Sequence, residues 1–371
     1  MVIGYGIVLK ILLLEYITAG GLNDEPLPAS LLQEGTLMRD ALLRDFSDIA
    51  EVEIVTTYDA RVSLPKFIKQ AICVDNTSDV KTIWHDMLQT CDAALLVAPE
   101  SNGVLTELTN MIELAGVKNL GCLHPAVEIA SNKQLTYEAL KKSNILTIPT
   151  YTVHEFLSPD FVFTQSVSCG WVIKPIDGAG CVDTFYFADE QTLKTWLTLG
   201  HTIEKYDAYI IQPYQKGIPA SISMLCKNGS ALVLSCNEQV IEIEASEIKI
   251  SNTQAPKESL ATIQYKGSKV NALSHYNATF AKLANLITTA IPGLNGYVGV
   301  DVIINEQDDI KEIFVVEINP RITTSYITLR DSIDCNPAKL ILDFVYDSTS
   351  SLAFNLPENM GRKTIEISVN G

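Results

Sequence analysis

No CxxC pair, no Lys/Arg-rich run, no GxxxxGK[ST] phosphate loop and no apolar segment of membrane-spanning length occurs in this 371-residue chain. Each absence narrows the field. Eight cysteines stand at 73, 91, 122, 169, 181, 226, 236 and 335, with no nearby His to complete a zinc set. Free thiols in a reducing compartment, the cytoplasm, are therefore expected rather than disulfides. Acidic side chains outnumber basic ones 44 to 27, a formal charge of −17, and no local basic cluster offsets it, which argues against a polyanion such as DNA or RNA as partner. A small anionic ligand needs only a few lysines and stays open. The most apolar run, "IVLKILLLEY" near the start, carries Lys10 and is shorter than a bilayer span. It also lacks the basic leader of a signal peptide and reads as a buried strand, so no membrane role is expected. "GYG" at 4–6 precedes this strand instead of following it, which rules it out as a dinucleotide fingerprint.

What is present is a globular composition, 47% hydrophobic, in a chain long enough for two or three domains. The first 125 residues alternate strand and helix signals. "IVLKILLLEY", "EVEIVTTY" and "DAALLVAP" (92–99) are strand candidates, and the last leads into "ESNGVLTELTNMIELAG". There Leu105, Leu108, Ile112 and Ala115 share a helical face, Asn102 can cap the start and Gly116 can end it. This α/β alternation predicts an open, mostly parallel sheet, with ligands beyond the carboxyl ends of its strands, where Glu15, Tyr16 and "PESNG" (99–103) would lie. From about residue 126 the texture becomes α+β: a helix signal, short strands around a Gly-rich "DGAG", and a final third built on "YVGVDVII" (297–304), the turn "NEQDD" and "IFVVEIN". The divisions predicted are 1–125, 126–208 and 209–371. "SNTQAPKESLATIQYKGSK" (251–269) reads as a mobile loop.

Period-two geometry places Glu317 and Asn319 on one strand face with Val315, while Phe314, Val316 and Ile318 point the other way into a core. A turn of hairpin length joins this strand to "GYVGVDVII", where Asp301 lies opposite Val300 and Val302. Asp301, Glu317 and Asn319 can thus converge as a hard-oxygen set suited to Mg²⁺, which takes one or two carboxylates and completes its shell with water and substrate phosphates. A solvated acidic hairpin face is the plainer alternative. In "SNKQLTYEALKK", Ser131 and Gln134 have capping-box spacing, so Lys133 falls in a first helical turn, where the macrodipole disfavours a cation unless an anion is near. It either joins a phosphate site at that helix end or extends into solvent. "WVIKPIDGAG" puts Lys174 at a strand end just before Gly178 and Gly180, whose backbone N–H groups can approach phosphate oxygens, or which simply make a turn. "YIIQPYQKG" reads either as a connector against which an adenine ring can lie or as an edge strand stopped by Pro213.

Taken in order and spacing, these features resemble the ATP-grasp superfamily of carboxylate ligases over essentially the whole chain, with "EINPR" and its upstream Asp the most specific element. The resemblance implies an ATP-grasp fold with an N-terminal Rossmann-like (pre-ATP-grasp) domain and two ATP-binding lobes. It implies that Lys133 and Lys174 bind phosphate, and that Asp177, Gly178, Ala179, Gly180 and Cys181 form the loop closing over the phosphates. Gln212, Pro213 and Tyr214 would flank adenine, and Asp301, Glu317 and Asn319 would hold Mg²⁺, two ions bridged by Glu317, with Mn²⁺ able to substitute. Arg321 would steady the acyl phosphate, making Arg321 and Lys174 the catalytic pair.

Two positions depart from the pattern. Ile218, Pro219 and Ala220 stand where an acidic residue usually meets the ribose, and Gly299 stands where some relatives have an arginine. "LLLEYITAGG", "LPASLLQEG", "VAPESNGVL" and "EINPRITTSY" are similar to the tyramine–glutamate ligase group of methanofuran-type cofactor synthesis. That similarity implies a small amine and an amino-acid carboxylate as substrates. Glu15, Tyr16 and Glu100 are candidates for the ammonium, and Thr324 and Ser325, before "YITLRDSI", for a carboxylate at a helix N-terminus; packing and plain helix capping are the respective alternatives. Competing readings are a ligase for another amino acid or amine, and an ATP-binding regulator that makes no bond.

Overall fold

The computed structural model describes residues 8–68, 70–163, 170–178, 180–198, 206–245, 260–307, 310–346 and 360–368. Its first part runs β1 (Leu9–Glu15), α1 (Ala29–Ser47), β2 (Val52–Asp59), β3 (Gln70–Val74), α2 (Val80–Leu88), β4 (Ala93–Val97), α3 (Val104–Leu114) and β5 (Lys118–Asn119). The strands form a parallel sheet in the order β3-β2-β1-β4-β5. Alternation sends successive residues of β1 to opposite cores. Leu12 and Leu14 join Trp84, Leu105, Leu108 and Ile112 of α2 and α3, whereas Ile11 and Leu13 join Leu42, Leu43 and Phe46 of α1. Burying each such side chain contributes about 1.5–3 kcal/mol. The strand order reverses between β1 and β4, so the segments leaving their carboxyl ends, Glu15–Tyr16 and Pro99–Glu100, flank the crevice where open sheets of this kind bind ligands.

The remainder comprises α4 (His124–Ala130), α5 (Lys133–Lys142), β6 (Tyr151–Thr152), α6 (Val153–Leu157), β7 (Trp171–Pro175), β8 (Phe185–Phe187), α7 (Glu190–Thr198), β9 (Tyr209–Pro213), β10 (Ile218–Lys227), β11 (Ser230–Ala245), β12 (Leu260–Val270), α8 (Asn277–Ala290), β13 (Gly296–Gln307), β14 (Ile310–Asn319), α9 (Tyr326–Ile333), α10 (Pro337–Tyr346) and β15 (Ile365–Ser368). The strands follow the order β14-β13-β10-β11-β12-β8-β7-β9-β6, with β15 also on β12. Every described pairing among them is antiparallel. One face of β10 and β13 packs Ile222, Met224, Val298 and Val300 against Phe280, Ala284 and Ile287 of α8. Helices α9 and α10 pack Tyr326, Leu329 and Ile341 into the α1 core, and Arg330 ties α9 to α1 through Asp45 at 3.0 Å and Asp48 at 2.6 Å. The two sheets therefore share a core. Among the described residues no helix is long and apolar enough to cross a membrane, and the seven described cysteines are free thiols.

Several local expectations are corrected. Residues 260–269, expected in a loop, lie in β12; Ala261, Ile263 and Tyr265 alternate there with Thr262, Gln264 and Lys266, a strand period that the Gly, Ser and Lys residues around it obscure, and 251–259 fall outside the described residues. Asn102 does not cap α3. It and Gly103 take left-handed φ values of 56° and 70° in a short turn, a conformation asparagine tolerates better than most residues. Gly116, at φ 72°, does end the helix. In β14 the strict alternation fails at Val316, where a bulge lets Asp301 pair with Glu317 while Val302 already pairs with Val315. The extra residue turns Val315 into the core beside Ile318 and leaves Phe314 and Val316 only partly covered, as bulges do when they re-aim side chains. β9, at the head of the expected 209–371 segment, is hydrogen-bonded to β6 and β7 of the segment before it.

Candidate active site

The β13–β14 hairpin places Asp301 directly opposite Glu317 and Gly299 opposite Asn319. Asp301 Oδ1 accepts a hydrogen bond from Gln239 Nε2 (3.0 Å), and Oδ2 accepts one from Asn319 Nδ2 (3.2 Å). Burial, with the adjacent Glu317 charge, pushes the Asp301 carboxyl up to about 8. Burial acts the same way on Glu317, but Lys133 and Lys174 outweigh it and hold Glu317 below its ordinary value. One carboxylate of the pair therefore stays charged, while the other would release its proton to solvent on binding a cation. Among the described residues no group of three or more His, Cys, Asp or Glu is arranged to hold a metal by itself. Two carboxylates and an amide instead suit an ion that keeps oxygen positions for water or phosphate.

Lys133 opens α5. The cap is Asn132, whose side chain accepts from the Gln134 and Leu135 N–H groups, and not Ser131, because the helix begins one residue later than the capping-box spacing implies. The Lys133 side chain is buried. Its Nζ donates to the carbonyls of Asp177 (3.0 Å) and Gly178 (2.9 Å) and lies 3.8 Å from Glu317 Oε2. Lys174, in β7, is also buried and reaches the same Glu317 oxygen at 3.8 Å. Burial lowers the Lys174 ammonium below its ordinary value, with Glu317 opposing. Two desolvated cations thus share one anion, an arrangement with positive charge to spare for an anionic ligand.

The Gly-rich segment lies against these charges. Gly178 and Gly180 take φ values of 81° and 73°, and Cys181 one of 59°; Ala179 lies outside the described residues. Burial, reinforced by Glu317, pushes the Cys181 thiol up to about 12, so it is no nucleophile at neutral pH. Asp177 does not face the lysines through its carboxylate: Oδ2 accepts the Asn102 N–H at 2.8 Å. On the connector, Gln212 is buried and donates from Nε2 to Thr150 Oγ1 (2.9 Å). Pro213 ends β9, the Tyr214 N–H donates to the Gly170 carbonyl (2.8 Å), and the Tyr214 ring meets Tyr186 edge-on at 5.1 Å.

At the other end, Arg321 Nη2 donates to Glu100 Oε2 (2.9 Å) and Nη1 donates to the Ile322 carbonyl (3.0 Å). Nε lies 2.8 Å from Glu100 Oε1, an ion-pair contact and not an aligned hydrogen bond. Glu34 of α1 stands near this pair; burial raises its carboxyl, with Arg321 opposing and Glu100 reinforcing. Glu15 is buried and accepts hydrogen bonds from Thr18 N–H and hydroxyl at 2.8 and 2.7 Å, closing the turn after β1. Tyr16 packs on Trp84 at 6.1 Å and over Gly21. Thr324 Oγ1 pairs with the Tyr265 hydroxyl (3.2 Å), and Ser325 Oγ accepts from Asn237 Nδ2 (3.3 Å). Ser325 precedes α9 without a side-chain cap bond. The fold thus gathers Lys133, Lys174, Glu317, Asp301, Asn319 and the loop around one cleft and adds Arg321 with Glu100. Glu15 and Tyr16 are engaged within their own sheet. Gln239, Tyr265 and Glu34 escaped sequence reasoning. Tyr265 sits in the stretch read as loop, Gln239 in a strand not foreseen, and Glu34 in "LPASLLQEG", which the similarity drew attention to without giving its carboxylate a role.

An open parallel sheet leading into an antiparallel α+β grip, with paired lysines and carboxylates in the cleft, defines a class of nucleotide-grasping proteins. The chain belongs to the ATP-grasp family: the ATP-grasp domain matches residues 130–325 and the pre ATP-grasp 3 domain residues 52–127. It is 30% identical over 323 residues to a tyramine–L-glutamate ligase of Methanocaldococcus fervens, covering 86% of this chain and 89% of that protein. It is likewise 30% identical over 324 residues to a protein of the same name from Methanocaldococcus jannaschii, covering 86% and 84%. A crystal structure of an ATP-grasp superfamily protein from Archaeoglobus fulgidus superposes with a TM-score of 0.61 at 23% identity, covering 90% of this chain and 88% of that one, and supports the fold.

Proposed function

We propose that this protein is an ATP-dependent carboxylate–amine ligase that joins L-glutamate to tyramine in methanofuran-type cofactor synthesis. The similarity to the two ligases over most of both chains supports the reaction class and the substrates. The observation that carries the site assignment is the convergence of Lys133 and Lys174 on Glu317, opposite Asp301 and on the way to Arg321.

In this reading the triphosphate lies along the cleft, with adenine against Gln212, Pro213 and Tyr214 and the β- and γ-phosphates between Lys133, Lys174 and the Gly178–Cys181 loop. Asp301, Glu317 and Asn319 would hold Mg²⁺, as two ions or with Mn²⁺ in its place. When bound, the cation neutralises charge on the transferring phosphoryl group. The substrate carboxylate oxygen attacks the γ-phosphorus, the bond to the β-phosphate oxygen breaks, and ADP departs, leaving an acyl phosphate. The amine nitrogen then attacks the acyl carbon, phosphate leaves, and the nitrogen loses a proton to give the amide. Arg321 offers planar donors to the acyl-phosphate oxygens throughout, and positioning with charge neutralisation supplies the rate. Residues 1–125, 126–208 and 209–371 are the proposed divisions, with β9 acting as the connector. The free thiols fit a reducing cytoplasm, and the acidic surface disfavours nucleic acid.

The test is ADP release with ATP, Mg²⁺, tyramine and L-glutamate, and with each organic substrate omitted, alongside hydroxylamine trapping of the acyl phosphate. Turnover that depends on both substrates is expected. Release indifferent to either would sink the substrate assignment, and ATP binding without turnover on a broad amine and acid panel would remove the ligase reading altogether.

A further inference from the structure

The turn that leaves β4 touches the cleft at two places. Glu100 faces Arg321 with both carboxylate oxygens, at 2.8 and 2.9 Å, and Asn102 gives its N–H to the Asp177 carboxylate at the foot of the Gly-rich loop (2.8 Å). A Cβ built on Gly178 would come 2.9 Å from the Ser101 hydroxyl, so loop and turn are in contact as well. The turn is itself stiff: Gly103 N–H bonds the Glu100 carbonyl (3.2 Å), Leu105 N–H bonds the Pro99 carbonyl (3.1 Å), and Asn102 and Gly103 hold left-handed conformations.

We propose that Glu100 is a positioning residue for the acyl-transfer step, fixing the guanidinium of Arg321 from the N-terminal sheet so that its free edge faces the acyl phosphate. This rests on the ligase reading of Arg321. A guanidinium 10% exposed, met by a carboxylate 3% exposed, has few orientations left once two of its three nitrogens face that carboxylate and the third bonds the next residue's carbonyl. Both partners sit in short turns directly behind strands, Glu100 just past β4 (Ala93–Val97) and Arg321 just past β14 (Ile310–Asn319), so each is held close to the sheet it leaves. The pair also explains how a charge-neutralising arginine can be desolvated before substrate arrives. An unpaired buried guanidinium would carry a large desolvation cost, which the carboxylate offsets. Glu100 does not touch the substrate in this account; it acts only through Arg321.

The experiment compares the full-length wild type with Glu100→Gln, Glu100→Asp, Arg321→Lys and the double variant Glu100→Gln/Arg321→Lys. Glu100→Gln preserves shape and removes the charge that orients the guanidinium. It should lower kcat about a hundredfold, the scale of a misplacement near 1 Å, with the KM for ATP unchanged and hydroxylamine-trapped acyl phosphate reduced in proportion. Glu100→Asp should recover part of the loss. In the Arg321→Lys background, Glu100→Gln should add less than twofold, because a residue acting through another has no separate effect once that partner is changed. Multiplicative losses would overturn the proposal. So would a raised KM for the amino acid at unchanged kcat, which would make Glu100 a substrate ligand, and so would a rise in turnover, which would make the pair a restraint.

Urea midpoints of the wild type, Glu100→Gln, Arg321→Lys and the double variant read the ion pair without turnover. Non-additive midpoints are expected, and additive ones would overturn the pairing even if no substrate pair is active. Absence of wild-type turnover with tyramine and glutamate, beside non-additive midpoints, would count against the substrate assignment alone.

Discussion

Raising the pH over the metal-free protein should tighten Mg²⁺ binding, and the size of the effect follows from Asp301. Burial and the facing Glu317 charge push the Asp301 carboxyl from 3.8 up to about 8, while Lys133 and Lys174 keep Glu317 ionised. A divalent cation needs both carboxylates deprotonated, so binding must expel the Asp301 proton. With a value near 8, about one-tenth of the sites are already ionised at pH 7. Binding at pH 7 should therefore release about 0.9 proton, and the apparent Kd should fall about tenfold between pH 7 and a plateau reached near pH 9.

Isothermal titration of Mg²⁺ in two buffers of different ionisation enthalpy reads the proton count directly, and repeating it from pH 6.5 to 9 reads the slope. Asp301→Asn keeps the Gln239 and Asn319 neighbours but has no proton to lose, so it should bind weakly and show no pH slope. Proton release near zero at pH 7 in the wild type, or a slope that survives in Asp301→Asn, would refute the assignment of this hairpin to the cation.

The same group sets a stability trend. Its folded value lies above its unfolded one, so the native state holds more protons between them, and stability falls as pH rises from about 4 towards 8. The melting temperature of the metal-free protein should carry this downward contribution, and added Mg²⁺ should remove it; Asp301→Asn lacking any change in the trend would count against it. Lys174→Met should cost about 10²–10³-fold in kcat/KM for ATP, the scale of losing one preorganised charge at a developing phosphoryl transition state, while circular dichroism stays native; wild-type kinetics would exclude Lys174 from the site. Gly296 has φ 65°, and a Cβ there would run into the Leu120 carbonyl. Gly296→Ala should therefore lower unfolding free energy by at least about 2 kcal/mol, from left-handed strain and overpacking together, and an unchanged urea midpoint would show that the junction between β13 and the first sheet yields.

What the sequence disclosed and what it hid divide along a physical line. The facing of Asp301 and Glu317 was legible because two short-range rules agree there: alternation fixes which side of each strand a residue takes, and a short turn fixes the register. The same rules misassigned Val315 and Val316, since a bulge adds one residue and leaves no mark in the hydrophobic pattern. Stretches lining a polar cleft were the hardest to read. β12 looked like a loop although Ala261, Ile263 and Tyr265 alternate with Thr262, Gln264 and Lys266, because that short run is embedded in a Gly-, Ser- and Lys-rich stretch; Tyr265 and, on the neighbouring strand, Gln239 went unnoticed with it. Contacts across the topology are a separate matter. Glu100 and Arg321 are 221 residues apart; the βαβ pattern can place Glu100 at the mouth of the first sheet, but it cannot say which cation meets it there. An acidic residue at such a mouth invites assignment to a substrate ammonium, and the chain itself supplies a guanidinium first. The carboxylate near that mouth for which no hydrogen bond is found among the described residues is Glu34, half-buried on α1 and pressed upward by burial and by Glu100. If the amine substrate enters as a cation, Glu34 is the carboxylate there with charge left to meet it, and Glu34→Gln should raise the KM for the amine while leaving that for ATP unchanged; equal effects on both would return Glu34 to the role of a surface charge.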